Sequence, residues 1–180
     1  MKFTRRRDMK WFVPIILFIG VIIDAALPAV FPKAFLGGGQ TVISHFALFY
    51  LVTIAFYFRD SNILLYSFLF GLLTDAYNTT FLGLYAAIYF IVAYTVHRVK
   101  RFFPKKPIIH WMLFILAITF VDFVVFVFYR ETGQTTMILT DFVVSRLTPT
   151  LIYNTVLTFI LYLPTKHLLK WLGYETYIIF

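Results

Sequence analysis

Five ionisable side chains fall inside apolar stretches of this chain: Asp24, His45, Asp75, Asp122 and Arg146. In a hydrocarbon setting each costs free energy, about 2.5–3.5 kcal/mol for Asp or Arg at a helix centre on insertion scales. Such residues are therefore candidates for an ion path, a ligand site or a buried polar network. The most telling stretch spans residues 70–84, where an apolar helix carrying Asp75 meets a short polar turn, Asn78-Thr79-Thr80, and a second apolar helix. Catalytic patterns are missing: there is no G-x-S-x-G, no H-E-x-x-H and no phosphate-binding loop. His45, His97, His110 and His167 lack metal-ligand spacing, and the absence of cysteine removes disulfides, thiolate metal sites and a thiol nucleophile. No cofactor is expected.

The elements that position these residues are membrane helices. Of 180 residues, 61% are hydrophobic and only 13% charged, with a mean hydropathy of +0.85, which is the membrane class. Six apolar spans can be drawn at about 11–30, 42–58, 62–77, 81–96, 108–129 and 137–163, the last closed by Pro164, within a single membrane domain covering 1–180. The first follows a basic start and resembles a signal peptide. At about 20 residues, with no small-residue cleavage site, it reads as a retained span. The third and fourth, about 16 residues or ~24 Å each, are short for a ~30 Å hydrocarbon core. They read as a hairpin that stops short of one interface or thins the bilayer.

The net charge of +8 does not indicate nucleic acid, because the basic residues cluster in the gaps between spans. With the N-terminus inside, 13 Lys and Arg residues fall on the cytoplasmic side and two, Lys33 and Arg130, outside. That asymmetry predicts cytoplasmic N- and C-termini. The segment 97–107 carries Arg98, Lys100, Arg101, Lys105 and Lys106. It reads as a positive anchor at lipid headgroups, or as a contact for anionic lipid or a cytosolic partner. The aromatic tail, 171–180, reads as interfacial.

Counted from the cytoplasmic ends, Asp24, His45, Asp75 and Asp122 lie about 13–14 residues in, roughly 20 Å, and Arg146 about 17. The five thus share one level in the outer half of the bilayer. The expectation is that Arg146 pairs with one or two of the three aspartates and that His45 joins the network. Gly71, one turn before Asp75, predicts close helix approach there, and Gly83 brackets the other side of the hairpin. Pro28 and Pro149 free the carbonyls of Asp24 and Ser145, while Arg146, Thr150 and Tyr153 form a polar stripe. A purely packing role for this network stays open beside ligand binding and docking of a partner helix.

The basic start, the six spans and Phe70-Gly71-Leu72-Leu73-Thr74-Asp75, followed by Leu82-Gly83-Leu84 and the aromatic-rich Tyr85-Ala86-Ala87-Ile88-Tyr89-Phe90, resemble the bacterial rod shape-determining MreD family. Only the 70–90 stretch is specific; the rest of the likeness is length and hydropathy. The resemblance implies a non-enzymatic scaffold of the cell-elongation, peptidoglycan-synthesising complex in the bacterial cytoplasmic membrane. Implied partners are a single-span MreC-like protein and, through it, an MreB-like filament and the peptidoglycan glycosyltransferase and transpeptidase pair. It also implies a likeness to the six-helix substrate-binding subunits of energy-coupling-factor vitamin transporters. An alternative function follows from that likeness, namely a small-molecule capture subunit with an outward pocket under the Gly37-Gly38-Gly39 loop.

Overall fold

The computed structural model describes residues 3–58 and 62–171, without the side chains of residues 3–10 and Asn78. Arg59, the basic side chains of the N-terminal segment and the tail beyond Trp171 lie outside the described residues.

Every regular element among the described residues is helical: α1 (Phe3–Val30), α2 (Pro32–Phe35), α3 (Phe46–Tyr57), α4 (Ile63–Asn78), α5 (Leu84–Val99), α6 (Pro107–Glu131), α7 (Leu139–Phe142) and α8 (Thr148–Trp171). A π-helical turn, Val143–Leu147, joins the last two. Three stretches are long and apolar enough to cross a membrane: Trp11–Val30, Pro107–Glu131 and Leu139–Trp171. Helices α3, α4 and α5 are apolar but shorter.

Helix α3 is the central column. Ten of its 12 residues are buried, and its surface is apolar on every side, which is what burial on all sides requires. Helix α1 packs along one flank, α5 and α6 along others; α4 pairs with α5, and α8 lies against α6. Phe49, Phe56, Phe114 and Leu48 fill the middle. Phe49 meets Phe114 edge to face at 5.2 Å, the arrangement that aromatic quadrupoles favour.

Two expectations about element boundaries are corrected. Residues 42–45, drawn as the start of the second span, are not helical, because they run alongside α8 and bond to it. Pro164 does not end the last helix, which continues to Trp171. A proline inside a helix removes one hydrogen bond; Pro164 itself is exposed, and the buried Thr165 and Leu169 anchor the helix beyond it.

Candidate functional site: a layer of helix-capping carboxylates

A helix that starts inside a bundle leaves its first N–H groups without intrahelical partners. Where water is excluded, each unsatisfied group costs several kcal/mol. Asp75 answers this need for α5. Its carboxylate accepts hydrogen bonds from the backbone N–H groups of Gly83 (2.9 Å), Tyr85 (2.8 Å) and Ala86 (3.2 Å), and from the Thr79 hydroxyl (3.3 Å). The side chain is 0% exposed. Gly83, with φ of +103°, takes the left-handed conformation that turns the chain into α5 and aims its N–H at the carboxylate.

Asp24 does the same for α3. It accepts from Phe46 N–H at 2.8 Å and Ala47 N–H at 2.9 Å. In both cases the negative charge sits at the positive end of a helix dipole, adding to the hydrogen bonds.

The close approach that these caps need is supplied by glycine one turn earlier. A Cβ on Gly71 would collide with Ala86 Cα and lie 2.7 Å from the Tyr85 carbonyl oxygen. A Cβ on Gly20 would lie 2.9 Å from both Cα and N of Ala47. The two units therefore share one design. Gly20-x-x-x-Asp24-Ala25 faces Phe46-Ala47-x-x-Tyr50, and Gly71-x-x-x-Asp75-Ala76 faces Tyr85-Ala86-x-x-Tyr89. This correspondence, and Gly20 with it, was not drawn from the sequence. Its signal is the pair of G-x-x-x-D-A patterns, each followed by aromatic-Ala-x-x-Tyr.

His45 occupies the N-cap of α3, and its own N–H is bonded to Asn154 Oδ1 at 3.0 Å. Asn154 also donates to the Ile43 carbonyl at 2.7 Å, and Thr150 Oγ1 accepts from Ile43 N–H at 3.1 Å. The Ser145 carbonyl, which Pro149 frees from its helix, takes the Thr41 N–H at 2.7 Å. Thr150 and Asn154 on α8 thus satisfy the irregular segment 42–45, the condition for non-helical backbone at membrane depth. Asn154 is 0% exposed and carries no ionisable group; its signal in the sequence is its place four residues after Thr150 on the same helix face.

The rest of the layer is less fully bonded. His45 Nε2 stands 3.5 Å from Asp122 Oδ1, and both side chains are almost completely buried. Neither atom makes a hydrogen bond among the described residues, nor does Asp122 Oδ2 or the Nε of Arg146. The expected pairing of Arg146 with Asp24, Asp75 or Asp122 does not form among the described residues. At Asp24 and Asp75 the physical reason is that backbone amides already occupy the carboxylates, whereas Asp122 faces His45 instead of Arg146.

At the other end of α3 the basic segment divides in two. Lys100, 9% exposed, donates to the carbonyls of Ala55 (2.8 Å) and Phe58 (2.6 Å), and Lys105 donates to that of Tyr57 (3.0 Å). These cations close the C-terminus of α3, where a positive charge complements the dipole. Arg98, Arg101 and Lys106 are exposed, as an anchor at headgroups requires. Helix α3 is therefore clamped by a carboxylate at its start and an ammonium at its end.

No solved structure matches this chain. The chain is 21% identical over 157 residues to the "Rod shape-determining protein MreD" of Bacillus subtilis (strain 168), covering 87% of this chain and 91% of that relative. The family model described as rod shape-determining protein MreD matches residues 5–172, a span that holds both carboxylate caps and both cations of the α3 clamp, and the chain belongs to the MreD family.

Proposed function

We propose that the chain acts in cell-shape determination as a non-enzymatic scaffold of the bacterial cell-elongation complex. It crosses the cytoplasmic membrane six times with both termini inside, and it binds a single-span MreC-like partner. The observation that carries this reading is the use made of the acidic residues. Asp24 and Asp75, which composition alone marks as reactive, spend their lone pairs on backbone amides and hold the bundle in shape.

Six crossings are compatible with the short helices. Helix α3 has 12 residues, ~18 Å of rise, and the non-helical segment 42–45 adds at most ~13 Å, together no more than about the ~30 Å hydrocarbon core. Helices α4 and α5, 16 residues each, reach ~24 Å and meet at the capped turn below the outer surface.

The unpartnered buried atoms of the close His45–Asp122 pair, and separately of Arg146, favour a second reading. Buried polar atoms without partners are what a small ligand would complete, as in the capture subunit of a vitamin-type transporter. Purification of the full chain from membranes in mild detergent separates the two. Recovery of a bitopic cell-wall protein at near-stoichiometric level is the expected result. Co-purification of an ATPase pair, or thermal stabilisation by a vitamin, would overturn the scaffold reading.

A further inference from the structure

A cavity of about 250 Å³ lies between α3, α6 and α8, at the end of the bundle that carries the basic segment. Its deep wall is Phe49, His110 and Leu169, all buried, and its rim includes the exposed Ile108 and Phe159. No carboxylate lines it. His110 Nε2 is engaged with the Thr53 hydroxyl at 2.9 Å. Three lining donors stand out, the first being the Thr165 hydroxyl, which is buried without a hydrogen-bond partner among the described residues. The Trp111 indole Nε1 is buried with no partner, and the Lys166 ammonium, 6.0 Å from the Tyr162 ring, has no carboxylate partner among the described residues.

An apolar interior with a cation and a buried N–H donor selects a molecule that is oily along its length and anionic at its head. A soluble anion would gain nothing from the aromatic wall. A partner helix, ~10 Å across, is too wide for a space of this volume. Lys106, exposed and next to the lining residue Pro107, adds positive charge at the same end.

We propose that this cavity binds an anionic phospholipid. One acyl chain lies against Phe49, Phe159 and Leu169, and the phosphate is held by Lys166 Nζ and Trp111 Nε1. The site is independent of the outer carboxylate layer and of which partner the scaffold takes.

The test is native mass spectrometry of the purified full chain in mixed micelles that contain equal amounts of phosphatidylglycerol and phosphatidylcholine with the same acyl chains. Wild type is expected to retain phosphatidylglycerol about fivefold over phosphatidylcholine, the factor one near-surface cation supplies. Lys166→Gln and Trp111→Phe each abolish that preference, whereas Lys170→Gln, an exposed change on the same helix, keeps it. Ile108→Trp, which narrows the rim without altering charge, lowers retention of both lipids. Equal retention of the two lipids by wild type overturns the proposal, as does an unchanged preference in both Lys166→Gln and Trp111→Phe. Displacement of phosphatidylglycerol by inorganic phosphate would show a free-anion site and overturn it equally.

Discussion

An aspartate in an apolar helix looks like a chemical group waiting for a substrate, and at Asp75 that impression is wrong for a definable reason. The carboxylate has three backbone N–H donors and a hydroxyl within hydrogen-bond distance, so its insertion cost is offset by groups that would otherwise be orphaned. Replacing Asp75 by Leu should leave three amides unpaired and destabilise the protein by about 3 kcal/mol or more. Asp75→Asn keeps one acceptor oxygen and should lose roughly half of that. Thermal unfolding in detergent, followed by helical circular dichroism, checks both the loss and its order. Arg146 makes a separate prediction. Because it forms no ion pair with Asp75, the coupling between Arg146→Gln and Asp75→Asn in a double-mutant cycle should fall below about 0.5 kcal/mol. A coupling of several times that size would restore the pairing that charge balance first suggests. The ionisable residues of the layer are legible in the sequence because such groups stand out in apolar runs, whereas Asn154 does not stand out in that way. Their bonding is not legible, because backbone amides carry no letter of their own.

Among the elements, α3 shows most clearly what one sequence can and cannot reveal. Its all-round apolar character is visible in the residues from Phe46 to Tyr57 and correctly marks a buried helix. Its start was misplaced by four residues because Val42 and Ile43 are as apolar as a helix needs. What holds Ile43 out of the helix is Thr150 and Asn154, at sequence separations of 107 and 111, while the Val42 N–H bonds to the Phe35 carbonyl. Local propensity cannot report such partners. The approach of α4 to α5 was readable from Gly71, while its counterpart between α1 and α3 at Gly20 was overlooked, although the spacing to Asp24 is identical. Gly71→Ala should force α4 and α5 apart and cost about 1–3 kcal/mol by overpacking, measured as a lower thermal midpoint. Gly20→Ala should act in the same direction. At the opposite end of α3, Lys100→Met removes the donor to two carbonyls. It should destabilise by about 1.5–3 kcal/mol per charge-assisted bond lost, more than Arg101→Met on the exposed face.

At the level of the whole molecule, the two capped units give the bundle an internal order. Helices α1 and α3 form one G-x-x-x-D unit, α4 and α5 the other, and α3 and α5 pack against each other. Helices α6 and α8 add the third flank and carry Asp122 and Asn154, and the π-helical turn before α8 carries Arg146. The proposed scaffold role needs a shape that persists, and fixed helix starts inside the bundle would provide it. Orientation belongs to this scale too. The chain has no cysteine, so single cysteines report cleanly: one at Gly38 should react with a membrane-impermeant maleimide in intact cells, and one at Lys170 should not. The reverse pattern would invert the topology inferred from Lys and Arg.

Amide hydrogen exchange of the full chain in lipid nanodiscs tests most directly whether the acidic layer serves as helix caps. In wild type the amides of Phe46, Ala47, Tyr85 and Ala86 should all be protected. Asp75→Leu should expose Tyr85 and Ala86 while Phe46 and Ala47 stay protected, and Asp24→Leu should do the converse. Protection that is unchanged at all four amides in both variants would contradict the capping account.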